Sequence, residues 1–152
     1  MTPLDNVRIL EFPGVCQPTR GTLTVLENIH YDRILPTGET VADTFHVNRV
    51  FYIYDVPEEA SRGGHAHQTN TQLLICLAGS LDITLTDGHT VRDFHLDNPA
   101  QGLLIPPQVW NSMRNYAPGT VLLVLCSELY NQQGYFNDFA YYKSYIDSTY
   151  FS

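Results

Sequence analysis

From Arg8 to Glu128 the chain is built of short runs rich in Val, Ile, Leu, Thr and Tyr, each stopped by Gly, Pro, Asn or Asp. RILEF, GTLTVLE, RVFYIYDV, TQLLICLAGSLDITLTD, HTVRDFHL, QGLLIPP and TVLLVLCSE read as strands. Their β-branched and aromatic side chains suit a pleated surface, and the residues between them suit turns. Asp87-Gly88, between Thr86 and His89, predicts a tight hairpin, because such a turn needs positive backbone dihedrals. Further turns are expected at Asp97-Asn98-Pro99 and at Tyr116-Ala117-Pro118-Gly119. Strands at this spacing close into an antiparallel barrel or sandwich. Only FNDFAYYKSYI carries aromatics three and four residues apart, which predicts a helix from Tyr135 to Ile146 packed outside the strands. The expected fold is all-β with one short C-terminal helix.

At 152 residues, 43% apolar and 16% charged, the chain is expected to form one domain over residues 1–152 with a substantial core. The formal charge of −8 argues against nucleic acid as a partner, since phosphate backbones demand clustered Lys and Arg. A small phosphorylated ligand, held by a few local arginines, stays compatible with it. Cys76 and Cys126 lie inside apolar runs and read as small buried hydrophobes; with Cys16 they make no CxxC pattern and no disulfide framework. No run has the length of a signal peptide or a membrane span, so a cytoplasmic protein with no membrane partner is expected.

The stretch RGGHAH concentrates the candidate chemistry. Residues i and i+2 of a strand face one side, so His65 and His67 project together, into the interior of a barrel. The pattern resembles the first motif of the small barrels called cupins, in which HxH is followed by a Glu and then a Gly. His65, His67 and Gly79 match, but the Glu position falls at Thr71 or Gln72. In the second motif, GLLIPPQVWNSM, Gly102 and Pro106 match, and Asn111 stands where a His is expected. Two of the four ligand positions therefore lack a ligand, whereas catalytic zinc and non-haem iron sites keep three from protein. A site with no metal and no cofactor is expected. The resemblance implies a cupin-type (RmlC-like) jelly-roll barrel.

A closer resemblance covers nearly the whole chain, from about Asp5 to Ile146. Arg20-Gly21 in TRGTLTVLE, the strand RVFYIYDV, RGGHAH, QLLICLAGS, IPPQVW and VLLVLCS followed by Tyr130 resemble the nucleotide-sugar 3,4-ketoisomerases, the WxcM-like or FdtA/QdtA-type cupins. This resemblance implies a metal-independent isomerase that converts dTDP-4-keto-6-deoxy-D-glucose to a dTDP-3-keto-6-deoxyhexose through an enediol. Such enzymes serve the biosynthesis of unusual deoxyamino sugars. The step needs a proton removed from C3 and returned at C4, and an unperturbed His titrates in the right range for it.

His67 is the first candidate for proton transfer and His65 the second, as partner or carbonyl polariser. By alignment, Tyr52 is the tyrosine that the family turns into the site, with Tyr54 on the same face. Arg62, beside the histidines, and Arg20, in the element that reaches the sugar in the family, are the candidates for substrate binding, because guanidinium groups suit a diphosphate. Asn111 is a further substrate contact; lacking the proton chemistry of His, it leaves the stereochemistry at C4 open. Arg49 and Arg114 read as solvated surface. The resemblance also implies a homodimer, and the lead-in up to Glu27 is long enough to offer a strand to a partner. The competing readings are a 3,5-epimerase-like enzyme on the same class of substrate and a nucleotide-sugar-binding cupin without catalysis.

Overall fold

The computed structural model describes residues 1–152. A 3₁₀ turn at Pro3–Asn6 leads into β1 (Arg8–Glu11), β2 (Val15–Gln17), β3 (Gly21–Leu23), β4 (His30–Ile34), β5 (Thr40–Thr44), β6 (Arg49–Ile53) and β7 (Arg62–His67). The chain continues through β8 (Gln72–Ala78), β9 (Leu81–Thr86), β10 (Val91–Leu96), β11 (Gln101–Ile105), β12 (Trp110–Arg114), β13 (Val121–Cys126), β14 (Tyr135–Phe136) and α1 (Phe139–Tyr150). Two five-stranded antiparallel sheets result, ordered β1-β11-β8-β13-β6 and β10-β9-β12-β7-β14. The hairpins β2–β3 and β4–β5 stand outside them.

The main core lies between the sheets, where Leu74, Cys76, Leu103, Leu122 and Val124 meet Leu81, Ile83, Leu85 and Met113. Strand β8 is buried on both faces, which is why LLIC reads as a continuous apolar run and not as an alternation. Leu74 and Cys76 enter the main core, while Leu73 and Ile75 turn outward under Ile29, Phe45 and Leu26. The N-terminal segment therefore roofs the first sheet.

The long run from Thr71 to Asp87 divides at Gly79 and Ser80 into β8 and β9, which belong to different sheets. Gly79 has φ +74, and a Cβ there would stand 2.7 Å from the Cα of Thr120, so no other residue fits this corner. The Asp87-Gly88 turn is wider than the expected tight hairpin. Thr86 pairs with Val91, leaving four residues in the loop, and of the Asp-Gly pair only Gly88 has a positive φ. The Asp87 carboxylate bends the chain instead, accepting from the backbone N–H of His89 at 2.9 Å and of Thr90 at 2.7 Å.

Two further expectations need correction. The helix starts at Phe139, not Tyr135, because Asp138 caps it by accepting from Tyr141 N–H at 3.0 Å. Tyr135 and Phe136 are instead a short strand paired with His67 and Ala66. Their spacing mimicked a helix because Phe136, Tyr142 and Ile146 enter one buried cluster from two kinds of element. In GTLTVLE only Gly21–Leu23 is a strand, since it pairs with nothing but the exposed β2. Strands β4 and β5, mixed in polarity, carried no strand signal in the sequence; they form by pairing with each other.

Candidate functional site

Strand β7 runs along the open side of the interior. Its alternation sends Ala66 outward, fully buried beneath Phe136, Tyr142 and Ile146, and turns His65 and His67 inward. The two imidazoles lie 5.2 Å apart between ring centroids, edge to face. Asn111 on β12 pairs directly with His65, so its side chain shares that inner face, and its Nδ2 donates to the His65 carbonyl at 3.3 Å. Opposite stand Arg49, Phe51 and Ile53 of β6, in register with Cys126, Val124 and Leu122 of β13, which are in turn in register with Gln72, Leu74 and Cys76.

The space between β6 and β7 is a cavity of about 90 Å³ lined by Phe51, Ile53, Arg62, Gly63, His65, Gln72, Met113 and Val124. A second, smaller hollow beside His67 is walled by Arg49, Tyr130 and Tyr135. Arg62 and Arg49 thus flank the histidine pair. The Arg49 guanidinium lies over the rings of Phe51 at 4.7 Å and Tyr130 at 5.2 Å, an arrangement that holds a cation without neutralising it.

Electrostatics follow from this geometry. Burial lowers the His65 pKa, a tendency opposed by its hydrogen bond to the Gly63 backbone. Burial, then the neighbouring His65 and then the Arg49 cation hold His67 down at about 4. The sequence reading took an unperturbed His; the enclosed setting makes both rings neutral at physiological pH, hence ready to accept a proton. Two buried side-chain atoms have no hydrogen-bond partner in the protein, His67 Nε2 and Asn111 Oδ1. Both belong to this site, and unpaired buried polar atoms are destabilising unless something else needs them.

Of the expected site residues, the fold brings together His65, His67, Asn111 and Arg62. Tyr52 and Tyr54 do share a face, but it is the outer one, where they stack at 5.8 Å with 63% and 59% of their surfaces exposed. Phe51 and Ile53 take the inner face, so the expectation that Tyr52 enters the site fails on the period of β6. Arg20 lines neither hollow beside the histidines and is exposed in the turn between β2 and β3. Arg114 is a surface residue as expected, bonded to Thr84 and near Asp93.

Arg49, Tyr130, Tyr135 and Gln72 complete the site. Their sequence signals were partial: Arg49 opens the same strand as Phe51, and Tyr130 follows VLLVLCS. Tyr135 had none, because its place depends on pairing with β7. No group of three or more His, Cys, Asp or Glu side chains converges in a geometry suited to a metal.

Two facing antiparallel sheets with strands alternating between them, packed apolar on one side and open to a histidine pair on the other, define an RmlC-like cupin barrel. The same fold appears in the RmlC epimerase of Mycobacterium tuberculosis, at a TM-score of 0.66 and 14% identity over 86% of this chain and 67% of that one. The family description FdtA: WxcM-like, C-terminal, matches residues 5–147. A TDP-4-oxo-6-deoxy-alpha-D-glucose-3,4-oxoisomerase of Aneurinibacillus thermoaerophilus is 39% identical over 139 residues, 91% of either chain. A histidine-to-asparagine variant of the 3,4-ketoisomerase QdtA of Thermoanaerobacterium thermosaccharolyticum, crystallised with TDP-4-keto-6-deoxyglucose, superposes at a TM-score of 0.83 with 32% identity, covering 97% of this chain and 98% of that one. A 3,4-ketoisomerase of Helicobacter canadensis does so at 0.79 with 35% identity, covering 93% and 97%. The chain belongs to the FdtA, WxcM-like family.

Proposed function

We propose that this protein is a sugar 3,4-ketoisomerase acting on TDP-4-keto-6-deoxyglucose and yielding the 3-keto isomer. The observation that carries the reading is the neutral imidazole pair, His65 on the cavity with Arg62 and His67 on the adjoining hollow with Arg49, in a chain of this family. His67 takes the proton from C3, and the electrons of that bond form an enediolate across C3 and C4. His67, now cationic, returns the proton to C4. The C3 oxygen becomes the ketone, and its hydroxyl proton passes to the C4 oxygen with His65 as relay. Arg62 stands where it offsets the negative charge of the enediolate, in the manner of an oxyanion hole. Asn111 lines neither hollow and its orphan Oδ1 is fully buried, so its part in this scheme is to hold the His65 backbone and not to touch the sugar. A pKa of about 4 makes His67 a weak base in the free protein, and the approach of an anionic diphosphate raises it in the complex.

Arg20 enters this scheme through a second copy of the chain. The β2–β3 hairpin is exposed throughout, and Val15, Leu23 and Val25 are 59%, 63% and 55% uncovered. A homodimer that buries the hairpin against the partner removes this apolar surface from water and offers Arg20 to the partner's cavity. No helix of the chain is long and apolar enough to cross a membrane.

Incubation with TDP-4-keto-6-deoxyglucose in D2O, followed by proton NMR, tests the reading. The expected result is migration of the ketone from C4 to C3, with deuterium at C4 to the extent that the proton held on His67 exchanges with solvent before it is delivered. Exchange at C5 with the ketone left at C4 would assign a 3,5-epimerase, and tight TDP binding without turnover would assign a binding module.

A further inference from the structure

A catalytic imidazole is ordinarily oriented by a hydrogen bond from one ring nitrogen to a carboxylate or carbonyl. For His65 the Gly63 backbone plays that part, raising the basicity of the ring against the effect of burial. His67 has no such partner: its Nε2 is buried and unbonded, and only burial and the charges of His65 and Arg49 act on the ring. Something else must hold it.

Packing does. The Tyr135 ring lies 4.5 Å from His67 at an interplanar angle of 46°, and 5.1 Å from His65 at 74°. Tyr135 pairs with His67 through the backbone, so register fixes the contact. The neighbouring Phe136 turns the other way, into the cluster of Ala66, Tyr142 and Ile146, and anchors the short strand beneath the helix. Helix, strand and ring thus form one rigid support behind the imidazole. The other groups around His67 are Arg49 from β6 and Asn70, Glu128, Tyr130 and Asn131 from the flanking loops, and none bonds to it.

We infer that Tyr135 is the positioning residue of the site: its ring, and not its hydroxyl, holds His67 in the orientation from which it meets the sugar. The inference rests on the ketoisomerase reading for what His67 does, but not for how it is held. Without the wedge the imidazole turns about its side-chain bonds, and a small misorientation of a base is enough to slow proton transfer greatly.

The test compares Tyr135→Phe with Tyr135→Leu in the full chain. Titration of His67 is followed by NMR of labelled histidine in the absence of substrate, with His67→Asn giving the assignment, and kcat and KM are measured in parallel. Tyr135→Phe is expected to keep the wild-type titration and a kcat within about threefold. Tyr135→Leu is expected to lose about 100-fold in kcat with KM little changed. Its His67 should titrate above the wild-type value of about 4, toward 6.5, as water reaches the ring. If the Leu variant does not fold, Tyr135→Met, whose longer flexible chain adapts to the space without a ring, takes its place. Equal losses in the Phe and Leu variants would overturn the proposal by making the hydroxyl the acting group. An unchanged titration and kcat in the Leu variant would overturn it by making the wedge irrelevant. Because the titration needs no substrate, a wild-type chain without ketoisomerase activity would sink the functional reading and leave this test intact.

Discussion

The interior of the barrel has two halves built by the same alternation of side chains. On the β9–β11 side, Leu81, Ile83, Leu85 and Leu103 have no exposed surface, and the space is filled with hydrocarbon. On the β6–β7 side the inward positions are Arg49, His65, His67, Gln72 and Asn111, with two polar atoms left unpaired. The first half obtains its stability from burial, worth about 25 cal/mol per Å² of apolar surface removed from water. The second half forgoes part of that to keep neutral, unengaged imidazoles beside a cavity. A fold of this size tolerates such a concession only where the rest of the core is close-packed.

The sharpest way to break this comparison is to remove the base. His67→Asn should lower ketone migration and deuterium exchange about 10²–10⁴-fold while TDP binding, followed by calorimetry, persists. Unaltered exchange would move the base elsewhere in the cleft. The converse substitution, in the packed half, should act on stability alone. Leu103→Ala is expected to cost about 2–5 kcal/mol in urea unfolding, with kcat of the folded fraction preserved.

Acid should separate the halves further. Because the His67 pKa falls from 6.5 in the unfolded chain to about 4 in the folded one, the unfolded state takes up the proton first as pH drops. Stability is therefore complete above about pH 6.5, is lost on the way down to about pH 4, and the loss from this group totals roughly 3 kcal/mol. His67→Asn should remove that part of the pH dependence, read as the difference between the two unfolding curves at each pH. The smallest effect is expected at the outward tyrosine. Tyr52→Phe should change kcat by less than about threefold, and a larger loss in a chain whose dimerisation is unaltered would return Tyr52 to the site.

Much of the site was legible because it depends on period. HAH in a strand places both rings on one face by local alternation, whereas Asn111 was placed by the resemblance of GLLIPPQVWNSM to the second cupin motif, and it lies on the strand paired directly with β7. The same rule misplaced Tyr52 and Tyr54, since alternation fixes which residues share a face but not which face is inside. Arg49 was read as surface because exposure is the common state of arginine, and only the crossing of β6 over the cleft shows it beside His67. The helix start was misjudged for a related reason: aromatics from a strand and a helix enter one cluster, and spacing along the chain does not distinguish them.

The sequence by itself determined most strands of the two main sheets, though not β12, β14 or the corner at Gly79, together with the pairing of the histidines on one face and the shortage of acidic ligands around them. These follow from backbone sterics and the two-residue period, which act between near neighbours. The tertiary structure alone decided which tyrosine faces the imidazoles, which arginine flanks them and how far burial lowers their basicity. Those depend on strands distant in sequence meeting across the barrel, and on water being excluded once they meet.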